Sequence, residues 1–295
     1  MTRPWRPIGS WPMTTEAIRG QAVAATAIPP QSIRTRPVPF RGGGFRPQPM
    51  RWVGPVVFLV LLVVWELGCR TGIIGSLVLP APSKVWGALQ DLYQSGLLRK
   101  HVLASLSRLV VGWTLGAALG VTVGLTIGLF SLARAGLLPL VSAIFPIPKI
   151  ALLPLFVIWF GIGEGSKIAT ILFGTFFPMV IATYGGVDNV DRSLIRMGQS
   201  FGLSWSSIVR KIIIPGAMPA ILSGFRISVS IGIILLVAAE MIGAEFGIGS
   251  YILMAGAIFS MEQLIAGVAI LSLIGLCASG LIGWAERRLL GWRAR

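Results

Sequence analysis

Apolar residues along this chain gather into long runs separated by short polar stretches, instead of marking the narrow stripe of a helix with one wet face. Crossing a hydrocarbon layer of about 30 Å takes roughly 20 apolar residues at about 1.5 Å each. Six runs approach or exceed that length, at about 53–69, 102–130, 137–160, 168–187, 217–240 and 263–284. The expected fold is an all-α polytopic membrane protein of about six transmembrane helices, and an even number puts both termini on one side. Pro146, Pro148 and Pro154 interrupt the third run. They predict a broken helix, tolerated at membrane depth only where protein or a water-filled cavity satisfies the freed carbonyls. That makes the run a candidate wall of a pathway.

Composition agrees with this pattern. The 295 residues are 55% hydrophobic and only 12% charged, with a mean hydropathy of +0.83, too apolar for an ordinary soluble domain. The net charge of +15 would suit nucleic acid if it were spread evenly, but it is not. Eight arginines from Arg3 to Arg51, then Arg134, then Arg192, Arg196, Arg210 and Lys211, and finally Arg287, Arg288, Arg293 and Arg295 fall on the side of the termini. Only Arg70, Lys84, Arg99, Lys100 and Lys167 fall on the other. The bias places both termini in the cytoplasm and makes lipid headgroups, not nucleic acid, the partner of this charge. Cys69 and Cys277 lie in or beside apolar runs, and His101 is the single histidine. Neither a disulfide nor a metal site is expected.

Residues 1–50 are rich in Pro and Arg and hold no run able to span. They read as a disordered cytoplasmic tail, not as a cleavable signal peptide. Gly112, Gly116, Gly120, Gly124 and Gly128 repeat every four residues in the second run, and such a stripe serves close helix packing with a right-handed crossing. Lys149 and Arg226 fall inside runs. At that depth a charge must face protein or water, so each is either part of a pathway attractive to anions or a structural partner of freed carbonyls and loop carboxylates. Arg108 lies close enough to an outer end to snorkel. Glu66 and Glu240 fall at outer ends as well.

Two amphipathic elements lie outside the runs. In "LVLPAPSKVWGALQDLYQSGLL" Ser83 can cap a helix in the outer interface that carries Val85, Trp86, Leu89, Leu92 and Tyr93 on one face. In "FGLSWSSIVRKIIIPGAMP" a short helix over 193–201 is expected to end at Gly202 in the left-handed conformation. Ser204 then caps a second helix, stopped by Pro215. On that second helix Trp205, Ile208, Val209 and Ile212 share a face that would offer an apolar knob to a partner.

The spacing Gly202, nine residues, Ile212-x-Ile214-Pro215 resembles the second half of the EAA loop of importer-type ABC transporter permeases. "LPAPS" (79–83), "SLSRLVVGW" (105–113), "PIPKIALLPLFVIWFGIGEGSK" (146–167) and "FGIGSYI" (246–252) are similar to the nitrate, sulfonate, taurine and bicarbonate branch of that family. The resemblance covers about residues 77–290 and implies a type I ABC importer permease fold over 51–290, with a coupling loop at about 188–216 and a cytoplasmic C-terminus at 291–295. It further implies a multi-pass protein of the bacterial cytoplasmic (inner) membrane and, as partners, a cytoplasmic ABC ATPase dimer, an extracytoplasmic solute-binding protein and a second permease copy. ATP and Mg would bind the ATPase and no cofactor would bind this chain. The loop would couple through Arg196, Gly202, Ser204, Trp205, Ile208, Val209, Ile212 and Pro215, with Lys149, Arg226 and Glu240 as candidate pathway residues and a small anion as the solute. The loop departs from the pattern where Arg196, Met197 and Gly198 stand in place of Glu-Ala-Ala.

Catalysis is not expected of the chain itself. "GIGEGSK" (161–167) is the nearest approach to a P-loop, but its order is wrong and the next helix is a span. The competing expectation is an ATP-independent secondary transporter, which would also use broken spans and buried charges.

Overall fold

A computed structural model of the chain describes residues 52–75 and 78–291. The Arg- and Pro-rich tail and residues 292–295 lie outside these. Eleven α-helices make up the described residues: α1 (Val53–Arg70), α2 (Pro82–Gln94), α3 (Leu97–Leu129), α4 (Ser131–Ile144), α5 (Leu153–Phe160), α6 (Glu164–Asp188), α7 (Arg192–Ser200), α8 (Trp205–Ile208), α9 (Ile214–Glu240), α10 (Ile248–Ala257) and α11 (Met261–Leu289). A 3-10 turn, Lys149–Leu152, precedes α5, and a π segment, Val209–Ile213, joins α8 to α9 without a break.

The glycine stripe sets the geometry of the centre. Gly112 faces Ile171, Gly116 faces Thr175, Gly120 faces Met179, Gly124 faces Thr183 and Gly128 faces Val187. Both series ascend by four residues per step, so α3 and α6 run parallel, in contact along nearly their whole length. A β carbon added at Gly120 would lie 2.5 Å from Met179 Cβ and 2.7 Å from the Phe176 carbonyl oxygen, closer than atoms can approach. The bare glycine backbone is therefore what allows the two helices to meet. In lipid, where apolar burial drives little association, this packing is a main source of cohesion.

Parallel α3 and α6 require the chain between them to return across the bundle. That return is the bent pair of α4 with Lys149–Phe160, folded by 89° at its break. Five helices are long and apolar enough to span alone, and the bent pair, taken as one span, makes a sixth candidate. Pro146 and Pro148 fall in the break and Pro154 in the first turn of α5, where its missing N–H has no intrahelical partner to lose. The predicted broken run is thus found, although it begins at Ser131 and tolerates Pro139 within α4.

α9 returns antiparallel to α6: Gly186 meets Ala217 and Ala220, Gly224 meets Ala182, and Leu235 fills the space that a side chain at Gly174 would take. α6 is consequently the central helix, with buried side chains from Ser166 to Val187. α2 has Val85 and Leu92 turned inward while Trp86 and Tyr93 are exposed, as an interfacial helix requires. Its cap differs from the expectation. Ala81 occupies the N-cap position, and Ser83 instead donates to Glu66 through its hydroxyl (2.8 Å) and its N–H (3.1 Å), tying the end of α1 to α2.

Candidate functional site

At the end of the bundle where α3 and α6 finish, Asp191 caps α7 by accepting the Ser193 N–H at 2.8 Å. That bond holds its carboxyl below the usual range. α7 closes with the Gly202 N–H donating to Gln199 O (2.9 Å) and the Leu203 N–H to Gly198 O (3.0 Å). Gly202 has φ +69°, the left-handed turn that the sequence calls for at this glycine.

Beyond it the expectation needs correcting. Ser204 sits at the N-cap of α8, but its hydroxyl pairs with Ser207 (2.9 Å) and Ser206 (3.3 Å) instead of capping a backbone N–H. Pro215 does not stop the helix. The i→i+5 turn just before it makes room for a ring that an α turn would exclude, and the helix runs on from Trp205 to Glu240. Ile208 and Val209 are not presented to a partner. They are buried with Ile213 against Val187, Val190 and Ala217 of this chain, and they anchor the loop to the spans. Ile212 lies between, partly buried.

What is left facing outward is a different set: Leu194, Met197, Phe201, Leu203 and Trp205 are exposed, Phe201 to 79%. With Gly198, Ile212 and Pro215 the first four of these border a groove of about 680 Å³. Trp205 sits outside that groove, its ring 5.7 Å from that of Phe130. Arg196 is exposed, as are Arg210 and Lys211 at the rim. A β carbon at Gly198 would lie 3.0 Å from Ile212 Cδ1, so α7 packs closely on the π segment.

The opposite end carries a buried ionic cluster of which only Glu240 was a candidate. Arg108, 4% exposed, donates through Nε and Nη2 to both oxygens of Glu164 at 2.6 Å, and through Nη1 to Glu240 Oε1 at 2.8 Å and Phe246 O at 2.7 Å. Glu240 is completely buried and also accepts from the Ser105 hydroxyl (2.7 Å) and the Gly249 N–H (2.8 Å). Ser105 in turn accepts the Ile248 N–H at 2.8 Å, and His101 Nδ1 accepts the Gly247 N–H at 3.1 Å. A side chain at Gly247 would fall 2.5 Å from Glu240 Cδ and 2.8 Å from Arg108 Nη1, so glycine there makes room for the ion pair. The buried Lys167 donates to Ile162 O (3.1 Å) and Gly163 O (3.0 Å). Arg108 is thus no snorkelling surface residue. It ties α3, α6, α9 and the start of α10 together, every charge in the cluster having a partner.

The two candidate pathway cations are also engaged. Lys149 Nζ donates to the carbonyls of Phe145 and Ile144, freed by the proline break, and lies 5.1 Å from the ring centre of Phe177. Arg226 pairs with Glu286 at 2.8 Å. Glu286 stands three residues from the end of α11, so Arg226 lies nearer that end of the bundle than mid-depth and has a carboxylate at its own level.

A helical bundle with five or six candidate spans, a saturated ionic clasp at one end and an exposed apolar groove at the other has the make-up of a multi-pass membrane protein. The chain belongs to the family described as binding-protein-dependent transport system inner membrane component, whose model matches residues 116–291. It is 36% identical to the taurine transport system permease protein TauC of Escherichia coli, over 73% of this chain and 80% of the relative. It is 32% identical, over 90% and 95%, to a Bacillus subtilis protein provisionally named aliphatic sulfonates transport permease protein SsuC. A riboflavin transport system permease protein, RibX of Chloroflexus aurantiacus, is 34% identical over 79% and 87%. Among solved structures, the MetNI methionine ABC transporter in an inward-facing form contains a chain with the same fold (TM-score 0.57, 21% identity, 65% of this chain and 96% of that one). The protein is therefore the transmembrane permease subunit of an ABC importer, with the type I fold, and not an ATP-independent secondary transporter.

Proposed function

We propose that two copies of this chain form the pore and that each receives the closure of a cytoplasmic ATPase through the α7–α8 groove, while an extracytoplasmic binding protein delivers solute at the opposite end, beside the Arg108 cluster. Hydrolysis of ATP, with Mg, belongs to the partner ATPase, and this chain needs no cofactor of its own. The observation that carries the reading is the exposed set Leu194, Met197, Phe201 and Trp205 standing outside the membrane on an element anchored by Ile208 and Val209. Apolar surface held rigidly in water is what a coupling contact requires. The basic residues around this end support a cytoplasmic position for it and, by the same bias, for both termini. The permease domain in this reading is 51–290.

The solute is a small sulfonate-type anion. Support comes from the relatives named for taurine and aliphatic sulfonates, and not from Lys149 and Arg226, whose charges are already met. In proteoliposomes holding the permease, its ATPase and its binding protein, sulfonates should stimulate ATP hydrolysis more than nitrate, bicarbonate, riboflavin or a heterocyclic cation. Stimulation by cations alone, or by riboflavin alone, would exclude the anion.

A further inference from the structure

The outer end of the bundle carries a second surface that the transport reading does not use. An apolar groove of about 820 Å³ runs between α2, the start of α3 and α11, walled by Trp86, Leu89, Leu98, Val102, Ile270 and Leu273. At one end it adjoins a second cavity, of about 650 Å³, lined by Gly96, Arg99, Lys100 and Leu103. Tyr93 and Gln94 border both, so the two form one trough, apolar along most of its length and cationic at its mouth.

Of the other described Lys and Arg residues at this end, only Lys84 is likewise exposed and without a carboxylate partner, and it lines neither cavity. Arg70 is paired with Glu66 and Lys167 is buried on carbonyls. Among the described residues neither Arg99 nor Lys100 meets a carboxylate within salt-bridge distance. Lys100 leans 5.4 Å over the ring of Phe246, and Arg99 is exposed. Trp86 and Tyr93, 63% and 74% exposed, put the trough at the depth where aromatic side chains mark the boundary between headgroups and chains.

We infer that this trough is a binding site for an anionic phospholipid of the outer leaflet, its acyl chains along Leu89, Val102 and Leu273 and its headgroup phosphate on Arg99 and Lys100. Charge complementarity selects this occupant over a helix from a second copy. The apolar helix without a buried side chain, α1, has Glu66 as its one acidic residue, and Glu66 is already held by Arg70 and Ser83. A guanidinium and an ammonium beside an apolar channel match a phosphodiester with attached chains.

The test is native mass spectrometry of the full-length permease, delipidated and titrated with phosphatidylglycerol, phosphatidylethanolamine or glycerol phosphate. Phosphatidylglycerol should bind tightest and glycerol phosphate should not compete. Arg99→Gln with Lys100→Gln should weaken phosphatidylglycerol about thirtyfold, at ~1 kcal/mol for each basic residue near a membrane surface. Leu273→Trp, which narrows the channel and leaves the charges, should weaken both lipids alike. Equal binding of the two lipids, or wild-type affinity in these variants, overturns the site. Effective competition by glycerol phosphate would mean that the cations bind free phosphate and the groove plays no part. A disulfide between Leu273→Cys and a cysteine placed in α1 of another copy would show that a protein helix occupies the groove instead.

Discussion

Replacing Arg108 by Met is expected to cost about 3–5 kcal/mol of stability, because it strips Glu240 of its counter-charge where no water can replace it. Glu240 is fully buried and would keep only the Ser105 hydroxyl and the Gly249 N–H. Glu164→Gln should cost much less, since the Glu164 side chain is 59% exposed and water can take up what Arg108 releases. The thermal midpoint of the detergent-purified permease measures both. Pairing Arg108→Met with Glu240→Met removes both buried charges, so the double variant should be clearly more stable than Arg108→Met alone. If the two losses simply add, the clasp is not an interacting unit.

The second large effect is expected in the glycine stripe. Gly120→Leu places a side chain where Met179 Cβ and the Phe176 carbonyl already lie 2.5 and 2.7 Å from its first carbon. α3 and α6 must then part along the whole seam, a strain above the usual 1–3 kcal/mol of an overpacked core because backbone and not a flexible side chain blocks the site. Gly136→Leu on α4 meets nothing within 4 Å and serves as the control. Size-exclusion profiles of the extracted proteins should show Gly120→Leu aggregated or lost and Gly136→Leu monodisperse. Equal behaviour would mean that the seam is not what holds the bundle.

The spans, the broken third run, the left-handed turn at Gly202 and the glycine seam were legible because each is written locally, as a length of apolar sequence, a cluster of prolines or a strict period. The sequence could not tell which apolar residues of the 205–215 stretch face inward. The i, i+3, i+4, i+7 spacing from Trp205 puts Ile208 and Val209 on one face, but only the position of Val187 and Val190 at the end of α6 and the start of the loop decides that this face is covered. The Arg108 cluster was missed for the same reason. Arg108 stands 56 residues from Glu164 and 132 from Glu240, and each alone reads as an interfacial charge. The available signal was that Arg108, Glu164, Lys167 and Glu240 all fall at outer ends of runs, two of each sign, so that assembled helices bring them to one level.

The central claim is that ATP-driven closure enters this chain through the α7–α8 groove, and co-purification of the partner ATPase with membrane-extracted permease tests it most directly. Phe201→Ala and Trp205→Ala each remove an exposed aromatic, Phe201 the more exposed and Trp205 beside Phe130. Losing such an anchor at an interface costs 2 kcal/mol or more, roughly a thirtyfold drop in affinity. Gly202→Val has open space for its side chain but a φ of +69° that valine rarely adopts, so it should misaim α8. All three proteins should insert as the wild type does while retaining little ATPase and importing little solute. Full ATPase retention together with normal uptake in all three would contradict the account.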